Sequence, residues 1–142
     1  MTASAPSPAR LAGIDRLAER LRADPSDPAA IAALWGAVLR LDRWTFIARG
    51  PAESPSPYVA RLRSGPMLFA FTSPERAVIG ARNANLTQEE AARQMSVPLP
   101  RAVDWAASYA SRGVTGIVFD TPAQSYWVPL ANLKGLRERL QG

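Results

Sequence analysis

The side chains able to do chemistry in this chain are carboxylates, sixteen arginines, one lysine (Lys134) and the hydroxyls of serine, threonine and tyrosine; histidine and cysteine are absent. Without imidazole or thiol, every serine–histidine–acid and cysteine–histidine arrangement is excluded. No disulfide can form, and the usual zinc ligand sets are gone. Three chemistries survive: a glycosidase-like carboxylate pair, a hard-metal site of oxygen ligands, and a serine–lysine pair. Lys134 falls on the predicted terminal helix, a poor place for a buried base. Glu89, Glu90 and Asp104 are the acids that could pose as paired carboxylates, but adjacent glutamates on a helix point about 100° apart. Their expected role is to satisfy a helix N-terminus. Gly113 and Thr115-Gly116 lack the glycine run and Lys-Ser/Thr of a phosphate loop. The expectation is therefore a chain with no catalytic residue, no metal site and no cofactor. A carboxylate- or metal-dependent enzyme ranks last among the readings.

Two groups of residues suit binding instead. Arg61 and Arg63 share one face of a predicted strand, and Arg76 falls in the first turn of the following helix. Together they read as a cationic patch for nucleic acid, whose affinity would fall steeply with salt. The competing reading makes the alternate arginines a solvated sheet edge that discourages aggregation. Trp105 lies off the Val103–Ala106–Ala110 stripe beside its i+4 neighbour Tyr109. With Arg101 and Arg112 nearby, that pair reads as a protein-interface anchor, unless a sheet or the N-terminal helices cover it. Trp35 sits on an apolar helix face and reads as core, as does Tyr126-Trp127 on a short strand.

The elements that position these residues follow from periodicity and punctuation. Leu11, Ile14, Leu17, Ala18 and Leu21 recur at helical spacing. Asp27-Pro28 then opens a second helix through Ile31, Leu34, Trp35, Val38 and Leu39. As a DNA-reading pair this hairpin lacks the Arg, Asn or Gln that would meet base edges. Strands are predicted at 43–48, 58–63, 67–71, 93–97, 114–119 and 125–128, with residues 50–57 a loop by composition. Helices are predicted from Ser73 to about Asn83, from Pro100 to a Gly113 stop, and from Pro129 to the end, with a further turn or two at 87–92. The junction after Phe71 carries two helix-start readings: a Thr72/Glu75 capping box, or Ser73 as N-cap with Pro74 at N1. The expected architecture is α/β (α+β), a single mixed sheet of about five short strands with helices packed on it. Residues 1–8 read as a flexible leader, 9–41 as a helical hairpin and 42–142 as the α/β core of one domain.

With 142 residues and 47% hydrophobic content the chain can bury a genuine core. Its formal charge of +5 is spread along the length rather than gathered in a run. No segment approaches the roughly 20 apolar residues of a membrane span. The first eight residues lack the basic and apolar regions of a secretory signal, so the cytoplasm is the expected compartment.

The strand Tyr58-Val59-Ala60 and the run Gly65-Pro66-Met67-Leu68-Phe69-Ala70-Phe71-Thr72-Ser73-Pro74-Glu75-Arg76-Ala77 resemble the N-terminal domain of the SseB (enhanced serine sensitivity) family. Ser96-Val97-Pro98-Leu99-Pro100 and Gly116-Ile117-Val118-Phe119-Asp120 extend the resemblance over roughly residues 40–140. The chain departs from it at Asp120-Thr121-Pro122, where such proteins often carry an Asn-Pro-like pair. The resemblance implies a small cytoplasmic bacterial module with no catalytic residues to carry over. The leading functional expectation is a non-enzymatic binding or adaptor module that acts through protein–protein contact or self-association. Nucleic-acid binding through Arg61, Arg63 and Arg76 is the alternative.

Overall fold

A side-chain oxygen followed by proline starts three of the helices. Ser7, Asp27 and Ser73 each accept a hydrogen bond from a backbone N–H of the first turn, and Pro8, Pro28 and Pro74 stand where no N–H is needed. The computed structural model describes residues 6–141. Helix α1 spans Pro8–Ala23 and α2 Pro28–Leu39, forming the expected hairpin. Of the residues expected to form a leader, Ser7 caps α1 and Pro8 opens it, while residues 1–5 lie outside the described residues.

Seven strands follow: β1 Arg43–Arg49, β2 Ser56–Pro57, β3 Val59–Leu62, β4 Gly65–Ala70, β5 Gln94–Pro98, β6 Gly116–Phe119 and β7 Tyr126–Pro129. Between them lie α3 (Pro74–Asn83), α4 (Gln88–Ala92) and α5 (Arg101–Ala107), which tightens into a 3-10 turn over Ser108–Arg112, while α6 (Leu130–Gln141) closes the chain. At the strand-to-helix junction Ser73, not Thr72, is the N-cap. The capping box belongs to α4, where Thr87 and Glu90 satisfy each other's backbone N–H.

The strands form two sheets, not the single one expected, in the orders β2-β1-β5 and β3-β4-β6-β7. β1 pairs with β5 from Arg43↔Pro98 to Ile47↔Gln94. It meets the other sheet through one bridge, Thr45 with Phe71, closed by N–H···O bonds of 2.9 and 2.8 Å. On the Arg43 side that pairing stops because the chain turns into α3 two residues after Phe71. On the Ile47 side it stops because Tyr58 stands between the strands, its N–H bonding the Ile47 carbonyl at 2.9 Å and its carbonyl accepting the Phe69 N–H at 3.1 Å. The second sheet is mixed, with β3/β4 and β6/β7 antiparallel and β4/β6 parallel.

This second sheet is covered on both faces. Leu68, Ala70, Ile117 and Phe119 join the larger core with α1, α2, α5 and α6, while Met67, Phe69, Phe71 and Val118 join a smaller core with Ala77, Ala81 and Ala91 of α3 and α4. Two-sided burial explains why β4 and β6 are unbroken apolar runs instead of alternating ones. In the larger core Trp35 meets Phe119 and Tyr126 edge-on at 5.7 and 5.6 Å. Trp44 is fully buried, and its indole N–H is satisfied by the Val38 carbonyl at 3.0 Å.

On the other side α3 approaches the sheet at Gly80, where an added Cβ would overlap the Phe71 ring and lie 3.0 Å from the Thr121 carbonyl oxygen. Neither neighbour has room to yield, as Phe71 is fully buried and the other atom is backbone. Gly80→Ala should therefore destabilise the fold by about 1–3 kcal/mol through overpacking. Urea unfolding of the variant against wild type measures this, and an unchanged midpoint would contradict the close approach.

Candidate functional site

Parallel pairing brings the C-terminal ends of β4 and β6 together, the position where open α/β sheets place ligands. Here that position is filled by an ionic cluster. Asp120, 3% exposed, ends β6 with a φ of 54°. Its carboxylate accepts the Thr72 backbone N–H at 2.8 Å and the Thr72 hydroxyl at 2.7 Å. One of its oxygens also accepts from Arg76 Nη1 at 2.9 Å. Arg76 in turn forks onto Asp15 of α1, at 2.7 and 2.8 Å. Three distant segments thus converge on one guanidinium.

Burial pushes the Asp120 carboxyl above its ordinary pKa despite Thr72 and Arg76, whereas the bonds from Asp15 and Asp120 hold the Arg76 proton more firmly still. Tyr126 lies close enough to sense the same charges. Its hydroxyl is buried with no hydrogen-bond partner among the described residues, and burial, then the Asp120 charge, drives its pKa well up. A cavity of about 190 Å³ opens beside the cluster, lined by Asp15, Arg76, Ile79, Asp120, Thr121, Ala123 and Gln124.

Past Gln124 a larger cleft of about 510 Å³ begins, walled by Ala18, Leu21, Arg22, Pro25, Ile31 and Trp35 of the hairpin and by Gln124 to Val128 of β7 and the turn before it. Arg22 spans its end, donating to the Gln124 carbonyl at 3.0 Å and the Gln124 side-chain oxygen at 2.7 Å. Trp127 is 43% exposed. Its ring lies over Gly116 of β6, where a Cβ would come within 2.9 Å of Cε3, so glycine at 116 is what lets the indole settle on the sheet. The expectation that Tyr126-Trp127 belongs to the core holds for Tyr126, at 8% exposure, and fails for Trp127. The strand's two faces differ because α2 covers Tyr126, whereas Trp127 points the other way.

The residues singled out from sequence are dispersed. Tyr109 is 9% exposed and belongs to the core, and Trp105 is half-buried with its ring 4.9 Å from Phe46. The exposed aromatic anchor expected there is therefore mostly covered, by β1 and not by the N-terminal helices. Arg101 and Arg112 are exposed, the latter lying 4.9 Å above the Tyr109 ring. Arg61 and Arg63 are exposed on and just beyond β3, an edge strand. Arg76 contributes no free cation to them, being committed to two carboxylates.

Of the three acids, Glu90 pairs with Arg49 at 2.7 Å and Asp104 with Arg137 at 3.2 Å, so they face different elements. The Thr87 backbone N–H, helped by Arg49, holds the Glu90 carboxyl down at about 2. The acids that do converge are Asp15 and Asp120, which sequence spacing gave no reason to pair. The nearest signal was an aspartate directly after the buried run Gly116–Phe119. Among the described residues no group of three or more acids is placed to hold a metal. No helix among them is long and apolar enough to cross a membrane. No protein-family model, curated protein or solved structure matches the chain.

Removing Arg76 leaves a buried carboxylate unpaired, so Arg76→Ala should cost about 3 kcal/mol at neutral pH. Without the guanidinium the folded-state pKa of Asp120 rises further above its unfolded value. The variant is then most stable below the unfolded pKa and loses stability as pH rises through the folded one. Its deficit against wild type should shrink between about pH 7 and pH 4; denaturant melts at the two pH values test this, and a deficit that does not change with pH would contradict it. Tyr126→Phe removes an unsatisfied hydroxyl and should leave stability unchanged or raise it by about 1 kcal/mol. A fall of that size in the same melts would mean the hydroxyl has a partner.

Proposed function

We infer that this chain is a non-enzymatic binding module of the cytoplasm, of the kind the SseB resemblance implies, and that it acts through protein–protein contact. The observation that carries this reading is the apolar cleft between the helical hairpin and β7, with Trp127 exposed at its margin. Large, rigid aromatics half-open to water beside an apolar depression are the residues that dominate protein interfaces. The chain's lack of histidine and cysteine supports a binding role over catalysis. The burial of Tyr109 moves the interface away from the Trp105 helix, and the pairing of Arg76 leaves the nucleic-acid reading with only two of its three cations.

The experiment is affinity purification from the native cell with wild type, Trp127→Glu and Arg112→Glu, each with and without nuclease. Because Trp127 packs over Gly116 and Arg112 over Tyr109, a melt of each variant accompanies the assay, and binding is compared between variants that remain folded at the assay temperature. The expected result is a protein partner that survives nuclease, is retained by Arg112→Glu and is reduced at least about tenfold by Trp127→Glu. Association lost on nuclease treatment would instead assign the function to nucleic acid. Loss with Arg112→Glu alone would return the interface to the Trp105 face.

A further inference from the structure

The walls of the larger cleft say what shape of partner fits. Gln124, Ser125, Tyr126, Trp127 and Val128 are consecutive. Side chains along a strand alternate between faces, so successive residues can all line one depression only if it runs along the strand's edge. The opposite wall is one stripe of α1, Ala18, Leu21 and Arg22, at steps of three and one, together with Ile31 and Trp35 of α2. The cleft is therefore a trough beside β7, and among the described residues β7 is an edge strand paired only with β6.

The backbone of that edge is oriented for a partner. The Leu130 N–H bonds the Thr115 carbonyl at 3.0 Å, which makes Thr115–Leu130 a hydrogen-bonded pair of the antiparallel ladder. Such pairs alternate, so Val128 and Tyr126 address β6 while the N–H and C=O of Trp127 turn outward, away from β6. Pro129 has no N–H to offer, which limits an added strand to the region around Trp127.

Charge distinguishes this edge from its counterpart. β3, at the far side of the same sheet, carries exposed Arg61 with exposed Arg63 just beyond it, a protected edge. β7 carries no charged residue at all. The one charge lining the trough is Arg22, which bonds a neutral glutamine and forms no ion pair among the described residues.

Resting on the protein-contact reading above, we propose that the β7 trough binds an extended segment of a partner protein, which adds a strand at Trp127 and places a carboxylate side chain against Arg22. Backbone exchange at Trp127 supplies register, apolar side chains fill the trough against Leu21, Ile31 and Trp35, and Arg22 selects for acid.

The full-length chain is panned against a phage-displayed library of random peptides about twelve residues long, and the enriched peptide is synthesised. Enriched sequences should alternate apolar residues and share one Asp or Glu. Arg22→Glu, an exposed substitution checked by its melt, should weaken that peptide about tenfold, and replacing the peptide's acid by arginine should restore binding to this variant. Peptides methylated one at a time on backbone nitrogen should lose binding at the residue that exchanges with Trp127 and keep it at the next. Enrichment without an acid, indifference to Arg22→Glu, no rescue by the charge swap, or equal tolerance of N-methylation at every position would each overturn the proposal. Sedimentation of the free protein should show a monomer. A dimer abolished by Trp127→Glu would assign the edge to a second copy of the chain and also overturn it. Failure of the peptide arms alongside a partner still lost with Trp127→Glu would reject the strand-and-acid mode while leaving the protein-contact reading intact.

Discussion

A carboxylate buried where two parallel strands end must be answered on every side. Asp120 is held by Thr72 where the chain leaves β4, by Arg76 in the first turn of α3, and through Arg76 by Asp15 of the N-terminal hairpin. The sheet core, the helix on one face and the hairpin on the other are therefore registered against one another by a single chain of ionic bonds. Apolar packing around Trp35, Phe119 and Tyr126 gives the hairpin its adhesion, but such packing tolerates sliding. The Asp15–Arg76 fork, with two parallel N–H···O bonds, does not.

That registration also shapes the trough. Its near wall is the strand reached immediately after the Asp120 turn, and its far wall is the helix carrying Asp15. The distance between the walls is set at the cluster and again at the Arg22–Gln124 contact, on either side of Gln124. An ion-pair cluster set back from the trough thus fixes the spacing that a partner bound in the proposed mode would meet. The two edges of the sheet differ in charge: β3 carries exposed arginine, whereas β7 is uncharged and flanked by the hairpin.

Much of the framework was legible in the sequence because its signals are local. Serine or aspartate ahead of proline marks Asp27 and Ser73 by chemistry confined to one turn, whereas the same pair at Ser7-Pro8 falls in the expected leader and yet caps α1. The unbroken run Met67–Phe71 announces a buried strand. The break into two sheets was not legible, because it depends on where β1 stops pairing with β4, a long-range matter on which residues 43–48 are silent. The site was misjudged for the same reason. Periodicity put Trp105 off a Val103–Ala106–Ala110 stripe, yet Ala110 is exposed, Tyr109 is buried in its place, and β1 supplies Phe46 to cover Trp105. Thr72 invited a helix-capping role that belongs to Ser73, and its hydroxyl is used by a residue 48 positions away. Trp127 looked like core because a short strand after a turn gives no sign of which side will be left at the edge.

The Asp15–Arg76–Asp120 chain has a consequence for how the protein is made. During synthesis the hairpin emerges before the elements it packs on, and its amphipathic face has nothing to dock on until β4, α3 and then β6 have left the ribosome. Asp15 waits for Arg76, and both wait for the aspartate that follows β6. Completion of the tertiary structure is thus deferred until β6 and the turn after it have emerged. Until then the apolar side of α2, with Leu34, Trp35 and Val38, is open to whatever else in the cell binds exposed helices.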